Sequence, residues 1–102
     1  MRTVMVRYQV KPERVAENEG QIAKVYEQLT HESPLGLHYA TYKLEDGVSF
    51  VHIATLETEG NNPLLELSAF KAFTDGVKER CDEPPVSTPV TRVGSYRPAG
   101  HR

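Results

Sequence analysis

The side chain best suited to acid–base chemistry in this sequence is His52, in the stretch Phe50-Val-His-Ile-Ala54. A histidine with an ordinary pKa near neutrality can move a proton, and cofactor-free reaction of a phenol or enol with oxygen needs such a base. The alternative role is structural, because a buried histidine that is hydrogen-bonded to a neighbour also helps to specify a sheet or an interface. The residue type therefore indicates His52 as a candidate catalytic base, and a structural role for it stays open.

Five further side chains are candidates for contact with a small organic ligand: Tyr39, Tyr42, Phe50, Phe73 and Arg7. The two tyrosines have opposite parity along their strand, so they cannot both line one pocket. Either phenol can orient a substrate, or simply pack with its hydroxyl at a rim. Arg7 can bind a carboxylate or phenolate, or it can lie at an interface or in solvent.

Other kinds of site are not indicated. Cys81 is the single cysteine, so no intrachain disulfide is expected, and its place at the end of an apolar helical stripe is typical of a small hydrophobe. His38 is predicted to lie on the sheet face opposite His52, so the two do not form a metal pair. The sequence has no phosphate loop and no dinucleotide fingerprint. We therefore expect no metal and no cofactor.

Composition limits the partners. The chain has 102 residues and a net charge of −2, with mixed charges and no basic stripe, so nucleic acid is not an expected partner. The apolar runs are too short to span a membrane, and the first residues lack the apolar region of a signal peptide. We expect a cytoplasmic protein with a single domain over residues 1–97 and a flexible tail over 98–102.

A hairpin organises the chain, because Asp46-Gly47 joins two strand-like runs. A two-residue type I′ turn would require positive φ at both positions and would pair Thr41 with His52 and Tyr39 with Ala54. A three-residue loop would slip the register by one and exchange the faces. The second strand is apolar on both faces in its middle, which predicts an interior strand of a sheet that is covered on both sides.

The elements around the hairpin follow the order β-α-β-β-α-β. The predicted elements are a strand over Thr3–Val10, a helix from Pro12 to about His31, the hairpin, a helix opened by Asn62-Pro63 with Ser68 as a second possible start, and a last strand over Val86–Tyr96. Right-handed crossovers then give an α+β fold with an antiparallel sheet in the order 4-1-3-2 and both helices on one face. The other face needs a cover, for which a second copy of the chain is the simplest candidate.

At this level the sequence resembles the dimeric α/β-barrel domains, most closely those grouped with antibiotic biosynthesis monooxygenases. The residues that carry the resemblance are Gly36 with Tyr39, the Asp46-Gly47-Val-Ser-Phe-Val-His hairpin, the Asn-Pro-Leu opening of helix two with Phe70 and Phe73, Arg80-Cys81 before Pro84-Pro85, and the closing Val93-Gly-Ser-Tyr96. The resemblance covers roughly Thr3 to Tyr96. It implies a ferredoxin-like homodimer with two sheets face to face, and a small-molecule pocket between each sheet and its helices.

The resemblance also implies a function, with one departure. Members that degrade haem use an asparagine on strand one and a tryptophan and a histidine on helix two. This chain has no tryptophan, no asparagine between residues 1 and 10 and no histidine between residues 62 and 81, so haem degradation is not expected. The function that the resemblance implies is that of a small-molecule-binding oxidoreductase, a cofactor-independent oxygenase of a phenolic or quinol-like compound. The alternatives are a non-catalytic ligand-binding or stress-associated dimer, and an isomerase or lyase that uses the histidine as base.

Overall fold

The computed structural model describes residues 1–57 and 60–99. The strands and helices are β1 Arg2–Val10, α1 Val15–Glu32, β2 Leu37–Lys43, β3 Ser49–Leu56, α2 Ser68–Arg80 and β4 Cys81–Val90. This order confirms the predicted β-α-β-β-α-β pattern. None of the described helices is long and apolar enough to cross a membrane.

Each helix is preceded by a short 3-10 turn that begins at a proline, over Pro12–Arg14 and Pro63–Glu66. Proline suits these positions because its fixed φ matches the first helical turn and its missing N–H needs no partner. The side chain of Asn62 caps the second turn by accepting the Leu64 N–H at 3.0 Å. The main helix α2 then starts at Ser68, the second of the two starts that the sequence offered.

The four strands form one antiparallel sheet in the order β2-β3-β1-β4, which is the predicted order. Strand β3 lies in the interior of the sheet, as its two-sided apolar pattern indicated. Thr41 pairs with His52 and Tyr39 pairs with Ala54, which is the register expected for the two-residue turn. The structure thus decides between the two registers that the sequence left open, and it places His52 on the same face as Thr41 and Tyr39.

The hairpin turn itself is of another type than predicted. Gly47 has φ 79° and donates its N–H to the Leu44 carbonyl at 3.0 Å, but no other hairpin residue has a positive φ, so the turn is not type I′. The carboxylate of Asp46 ties the loop instead, accepting the N–H groups of Val48 at 3.0 Å and Ser49 at 2.8 Å. The Ser49 hydroxyl donates to the other carboxylate oxygen at 2.6 Å and is the main cause of the lowered pKa of Asp46, to which the two N–H groups add.

The predicted last strand, Val86–Tyr96, is wrong in both bounds. Strand β4 begins directly after α2 and covers Cys81–Val90, so Pro84 and Pro85 lie within it. They are tolerated because β4 is an edge strand and its pairing with β1 shifts register between Arg7 and Gln9, close to the prolines. Residues 91–99 have no strand structure and are exposed. Of the predicted tail, residues 100–102 lie outside the described residues.

The core lies between the sheet and the two helices. Its buried members are Tyr8, Val10, Val25, Phe50, Leu64, Leu67, Phe73 and Val77. We call this side of the sheet the covered face. The opposite side carries no helix, and we call it the open face; its apolar residues include Met5, Tyr42, Val51, Ile53 and Val86, which are half-buried or exposed.

Candidate functional site

A cavity of about 470 Å³ lies between the covered face and helix α2. The sheet contributes Tyr8, Tyr39 and His52 to its wall, and α2 contributes Phe70 and Phe73. The lining is mostly apolar, with a few polar groups close together, and the volume is sufficient for a small aromatic compound. The cavity is therefore the candidate ligand site.

His52 is only 5% exposed, and both of its ring nitrogens have protein partners. The Nε2 atom lies 2.7 Å from the Tyr8 hydroxyl oxygen, and Nδ1 lies 2.7 Å from the Tyr39 hydroxyl and 3.0 Å from Thr41 Oγ1. The imidazole is thus satisfied within the empty protein, yet the cavity lies directly beside it. A ligand that enters meets the imidazole together with two phenols.

The polar cluster of Tyr8, His52 and Tyr39 is electrically neutral at pH 7, whereas the cavity lining also includes the cationic side chains of Arg2 and Lys78. Burial lowers the pKa of His52 to about 4, because the charged imidazolium loses its hydration. Burial also raises the pKa of the Tyr8 and Tyr39 phenols well above their ordinary value. For Tyr8, the hydrogen bond from Asn18 and the charge of Arg80 oppose this increase. The site therefore presents hydroxyl groups and a neutral imidazole, all suited to hydrogen-bonding an oxygen of the ligand.

Aromatic stacking fixes the orientation of these groups. The Tyr8 ring stacks on His52 with centroids 5.3 Å apart and on Phe50 with centroids 5.6 Å apart. The Tyr39 ring stacks on Tyr26 at 5.4 Å. Such contacts add to the free energy of burial and leave each ring little freedom to rotate. The hydroxyls and the imidazole are therefore held in place before a ligand binds.

Two buried polar residues behind the cavity were not nominated by the sequence analysis. Asn18, which is fully buried on α1, donates from Nδ2 to the Tyr8 hydroxyl at 3.0 Å. Its Oδ1 accepts from Nε of Arg80 at 3.0 Å, and Arg80 is 3% exposed at the end of α2. The Arg80 guanidinium also lies 5.3 Å from the centroid of the Phe73 ring.

A signal for both residues exists in the helix periodicity. Asn18 falls three residues after Val15 and four before Ile22, on the apolar stripe of α1. Arg80 likewise falls three residues after Val77 on the stripe of α2. A polar residue at an apolar stripe position indicates a buried hydrogen-bonding group, because the stripe faces the core.

The structure brings three of the predicted site residues together at the cavity: Tyr39, His52 and Phe73. Phe50 is 2% exposed and supports Tyr8 from the core without lining the cavity. Arg7 and Tyr42 project from the open face instead, because alternate residues of a strand point to opposite sides.

The remaining candidates of the sequence lie away from the cavity. His38 is exposed on the open face, where its Nε2 lies 2.9 Å from the Glu57 carboxylate. Cys81 is half-buried, at the start of β4. Within residues 1–57 and 60–99, no three potential ligands come together as a metal site would require.

Neither the family models nor the curated proteins contain a match to this chain. Solved structures, however, superpose over most of its length. A conserved protein from Methanosarcina mazei Go1 gives a TM-score of 0.73 at 22% identity, covering 87% of this chain and 89% of that one. A crystallised antibiotic biosynthesis monooxygenase gives 0.69 at 18% identity, covering 92% of this chain and 100% of that one. SnoaB, a cofactor-independent oxygenase from Streptomyces nogalater, gives 0.68 at 16% identity, with 92% and 94% covered.

The chain has a ferredoxin-like fold, which it shares with the crystallised antibiotic biosynthesis monooxygenase and with SnoaB. The resemblance that the sequence indicated is thereby confirmed at the level of the fold. At these identities the likeness does not extend to substrate or reaction.

Proposed function

We propose that the protein binds a planar, largely apolar phenolic or quinol-like compound in the cavity and oxygenates it without a prosthetic group. The observation that carries the proposal is the cluster of Tyr8, His52 and Tyr39 in the wall of a mostly apolar cavity. The apolar lining favours an aromatic ring, and the polar cluster is placed to bind the oxygen attached to that ring. SnoaB, which shares the fold, is a cofactor-independent oxygenase, and this agrees with the proposal.

The reaction balances without an added reductant when the substrate carries an activated CH₂ group, as an anthrone does. One oxygen atom of O₂ replaces the two hydrogens of the CH₂ carbon and forms a carbonyl. The other oxygen atom leaves as water with those two hydrogens. The substrate supplies all four electrons, and it does so most readily as the anion formed when it gives up a proton.

His52 has two possible parts in such a reaction, which are to accept the proton of the substrate or to hydrogen-bond the resulting anion. Its low pKa in the empty site makes it a weak base, but a neighbouring anion raises the pKa of an imidazole by stabilising the charged form. In either part, His52 acts together with Tyr39, which lies 2.7 Å from its Nδ1 atom.

Oxygen uptake with a panel of phenols and anthrones tests the function. We expect one O₂ consumed for each molecule oxidised. Turnover in His52→Gln should be lower by about 10²-fold if His52 takes the proton, the usual share of acid–base catalysis, and by less if it supports the anion through Tyr39. His38→Gln, which changes the exposed histidine on the open face, should leave turnover unchanged. Circular dichroism and the unfolding midpoint would show that both variants keep the fold.

Two outcomes would favour the alternative functions. The saturation of both His52 nitrogens by the protein specifically favours a non-catalytic ligand-binding protein. Binding of the panel with no oxygen uptake and no product would support that function. Product formation in the absence of oxygen would support an isomerase or lyase.

We further propose that the protein is a homodimer in which the open faces of two copies pack together around a twofold axis. Three apolar side chains at the centre of that face, Met5, Val51 and Ile53, are only half-buried in the single chain. A contiguous apolar surface of this kind is typical of an interface. We expect the interface to bury more than about 1,200 Å² in total, as specific contacts do.

A further inference from the structure

Five side chains form a continuous hydrogen-bonded chain from the end of α2 to the cavity, and we call it the Arg80–Tyr39 chain. Its members are, in order, Arg80, Asn18, Tyr8, His52 and Tyr39. Successive partners lie 3.0, 3.0, 2.7 and 2.7 Å apart. The direction in which each bond donates decides what the cavity offers to a ligand.

The direction of the first three bonds follows from the groups themselves. Arg80 Nε can only donate, so the Asn18 atom that faces it is the carbonyl oxygen. The amide NH₂ of Asn18 then faces Tyr8 and donates to its hydroxyl oxygen. The Tyr8 hydroxyl has one hydrogen, and its remaining partner is His52 Nε2, which therefore accepts.

The direction of the last bond follows from the neutral imidazole. With a lone pair on Nε2, the His52 proton is on Nδ1, which donates to the Tyr39 hydroxyl oxygen and to Thr41 Oγ1. The hydrogen of the Tyr39 hydroxyl is then free to donate to the Thr41 hydroxyl, with which Tyr39 is hydrogen-bonded in the empty protein, or to an oxygen of a ligand in the cavity that Tyr39 lines. In the opposite tautomer, the Tyr8 oxygen would accept from both Asn18 and His52, and the Tyr8 hydrogen could point only into the cavity that Tyr8 also lines. That tautomer is disfavoured, because Tyr8 is 2% exposed, whereas the Tyr39 hydrogen has Thr41 as an acceptor in the empty protein.

The positive charge of Arg80 lies at the end of the Arg80–Tyr39 chain that is farther from Tyr39. Arg80 is 3% exposed and forms no ion pair with any carboxylate in the described part of the chain. All the bonds between it and Tyr39 are oriented alike, so their dipoles point the same way and reinforce one another. The chain is therefore polarised, with donor hydrogens directed toward the cavity.

We infer that Asn18 and Arg80 are positioning residues, which hold the His52 proton on Nδ1 and make the Tyr39 hydroxyl a donor to an anionic oxygen of the ligand. The ligand class is a phenolate or enolate that has released its proton to solvent. The identity of the ligand rests on the proposed function. The direction in which the hydrogen bonds of the Arg80–Tyr39 chain donate does not depend on that function. In this arrangement His52 supports the anion through Tyr39 and does not take the ligand's proton.

The tautomer can be measured without any ligand. In protein labelled with ¹⁵N-histidine at pH 7, we expect His52 to show a protonated Nδ1 and an unprotonated Nε2, with its signals assigned by their loss in His52→Gln. Asn18→Asp should reverse the donor direction of the hydrogen bonds from residue 18 to Tyr39, because a carboxylate beside Arg80 cannot donate to Tyr8 and must accept from it. The Tyr8 oxygen then accepts from His52, so the proton should move to Nε2.

The control for this variant is Gln21→Glu, which makes the same amide-to-carboxylate change on the same helix. The side chain of Gln21 has no hydrogen-bond partner among the described residues. It should leave the tautomer on Nδ1. A wild-type protein with the proton on Nε2, or an Asn18→Asp variant with the proton still on Nδ1, would overturn the inference. The wild-type measurement decides the direction even if Asn18→Asp does not fold.

The ligand part is tested with 4-nitrophenolate and with nitrobenzene, which has the same ring without the anionic oxygen. Tyr39→Phe should weaken 4-nitrophenolate binding by about 10-fold or more, the effect of losing a hydrogen bond to a charged group, and should leave nitrobenzene binding unchanged. Asn18→Asp should weaken the phenolate to a similar degree.

Equal losses for both probes in Tyr39→Phe would contradict a donor role for Tyr39. Failure of the wild-type protein to bind either probe would contradict the proposed function and the anion part of the inference, while the tautomer measurement would still decide the direction of the chain. The two failures are therefore distinguishable.

Discussion

The two faces of the sheet are built from the same strands and differ in almost every other respect. On the covered face, His52 of β3 belongs to a hydrogen-bonded polar chain beside an apolar cavity. On the open face, the next residue, Ile53, lies half-buried among apolar neighbours. Polar contacts there join single pairs of side chains on neighbouring strands, such as Thr3 and Thr55 at 3.2 Å.

This difference shows what helices contribute to a site of this kind. A buried polar group is tolerated only when every donor and acceptor is satisfied, and the helices supply Asn18 and Arg80 for that purpose. The open face has no such supply, so apolar side chains occupy its centre. We therefore expect changes on the covered face to alter folding and binding, and changes on the open face to alter association.

The largest effect on the free energy of unfolding is expected from Phe73→Ala on the covered face. Phe73 is 6% exposed and packs against the rings of Tyr8 and His52 and under Arg80. Truncation of a core phenylalanine costs about 3–5 kcal/mol, which urea unfolding would measure. Tyr42→Ala on the open face, where the side chain is 57% exposed, should cost much less. Equal losses in the two variants would contradict the contrast between the faces.

Acid should destabilise the covered face through His52. Its pKa is about 4 in the folded protein and near 6.5 when exposed, so the unfolded chain binds the additional proton between these values. The contribution of the neutral His52 to the free energy of unfolding is therefore fully present above pH 6.5. It is lost as the pH decreases toward 4, and the total loss is about 3 kcal/mol. Urea unfolding across this range should show a flatter profile for His52→Gln. The same profile in wild type and variant would show that the imidazole is not buried as described.

Ile53→Asp should weaken the proposed dimer through the open face. A twofold interface would bury two unpaired carboxylates, so we expect the dissociation constant to rise by about 100-fold or more. Sedimentation or light scattering at micromolar concentration would measure it. The control is Val93→Asp, at a side chain that is 99% exposed, and it should have no effect. A wild-type protein that is monomeric under these conditions would refute the dimer.

The smallest effect is expected at the hairpin, whose register decides which face receives His52. Gly47 has open space around it but a φ of 79°, so Gly47→Val should cost more than about 1 kcal/mol through backbone strain alone. Gly20 has equally open space in a helix, and Gly20→Ala should stabilise by about 0.4–1 kcal/mol. The contrast fails if both substitutions shift the unfolding midpoint in the same direction.

The bounds of the last strand show where local patterns are insufficient. The pair Pro84-Pro85 looks like an end signal, so the sequence placed the strand after it. In the structure the strand contains both prolines, because it lies at an edge where a missing N–H costs little. Whether a strand is an edge or an interior strand depends on the whole sheet and not on the residues near the proline.

The sequence by itself determined the element order and limited the hairpin to two registers, of which the structure has the one that pairs Thr41 with His52. These follow from short-range rules, namely the alternation of side chains along a strand, the spacing of apolar residues on a helix and the positive φ of Gly47. Only the tertiary structure decided the partners of His52. The Arg80–Tyr39 chain joins residues that are up to 62 positions apart, and its bonds form only within about 3 Å. Such distances are set by how both helices pack on the sheet, which no local pattern contains.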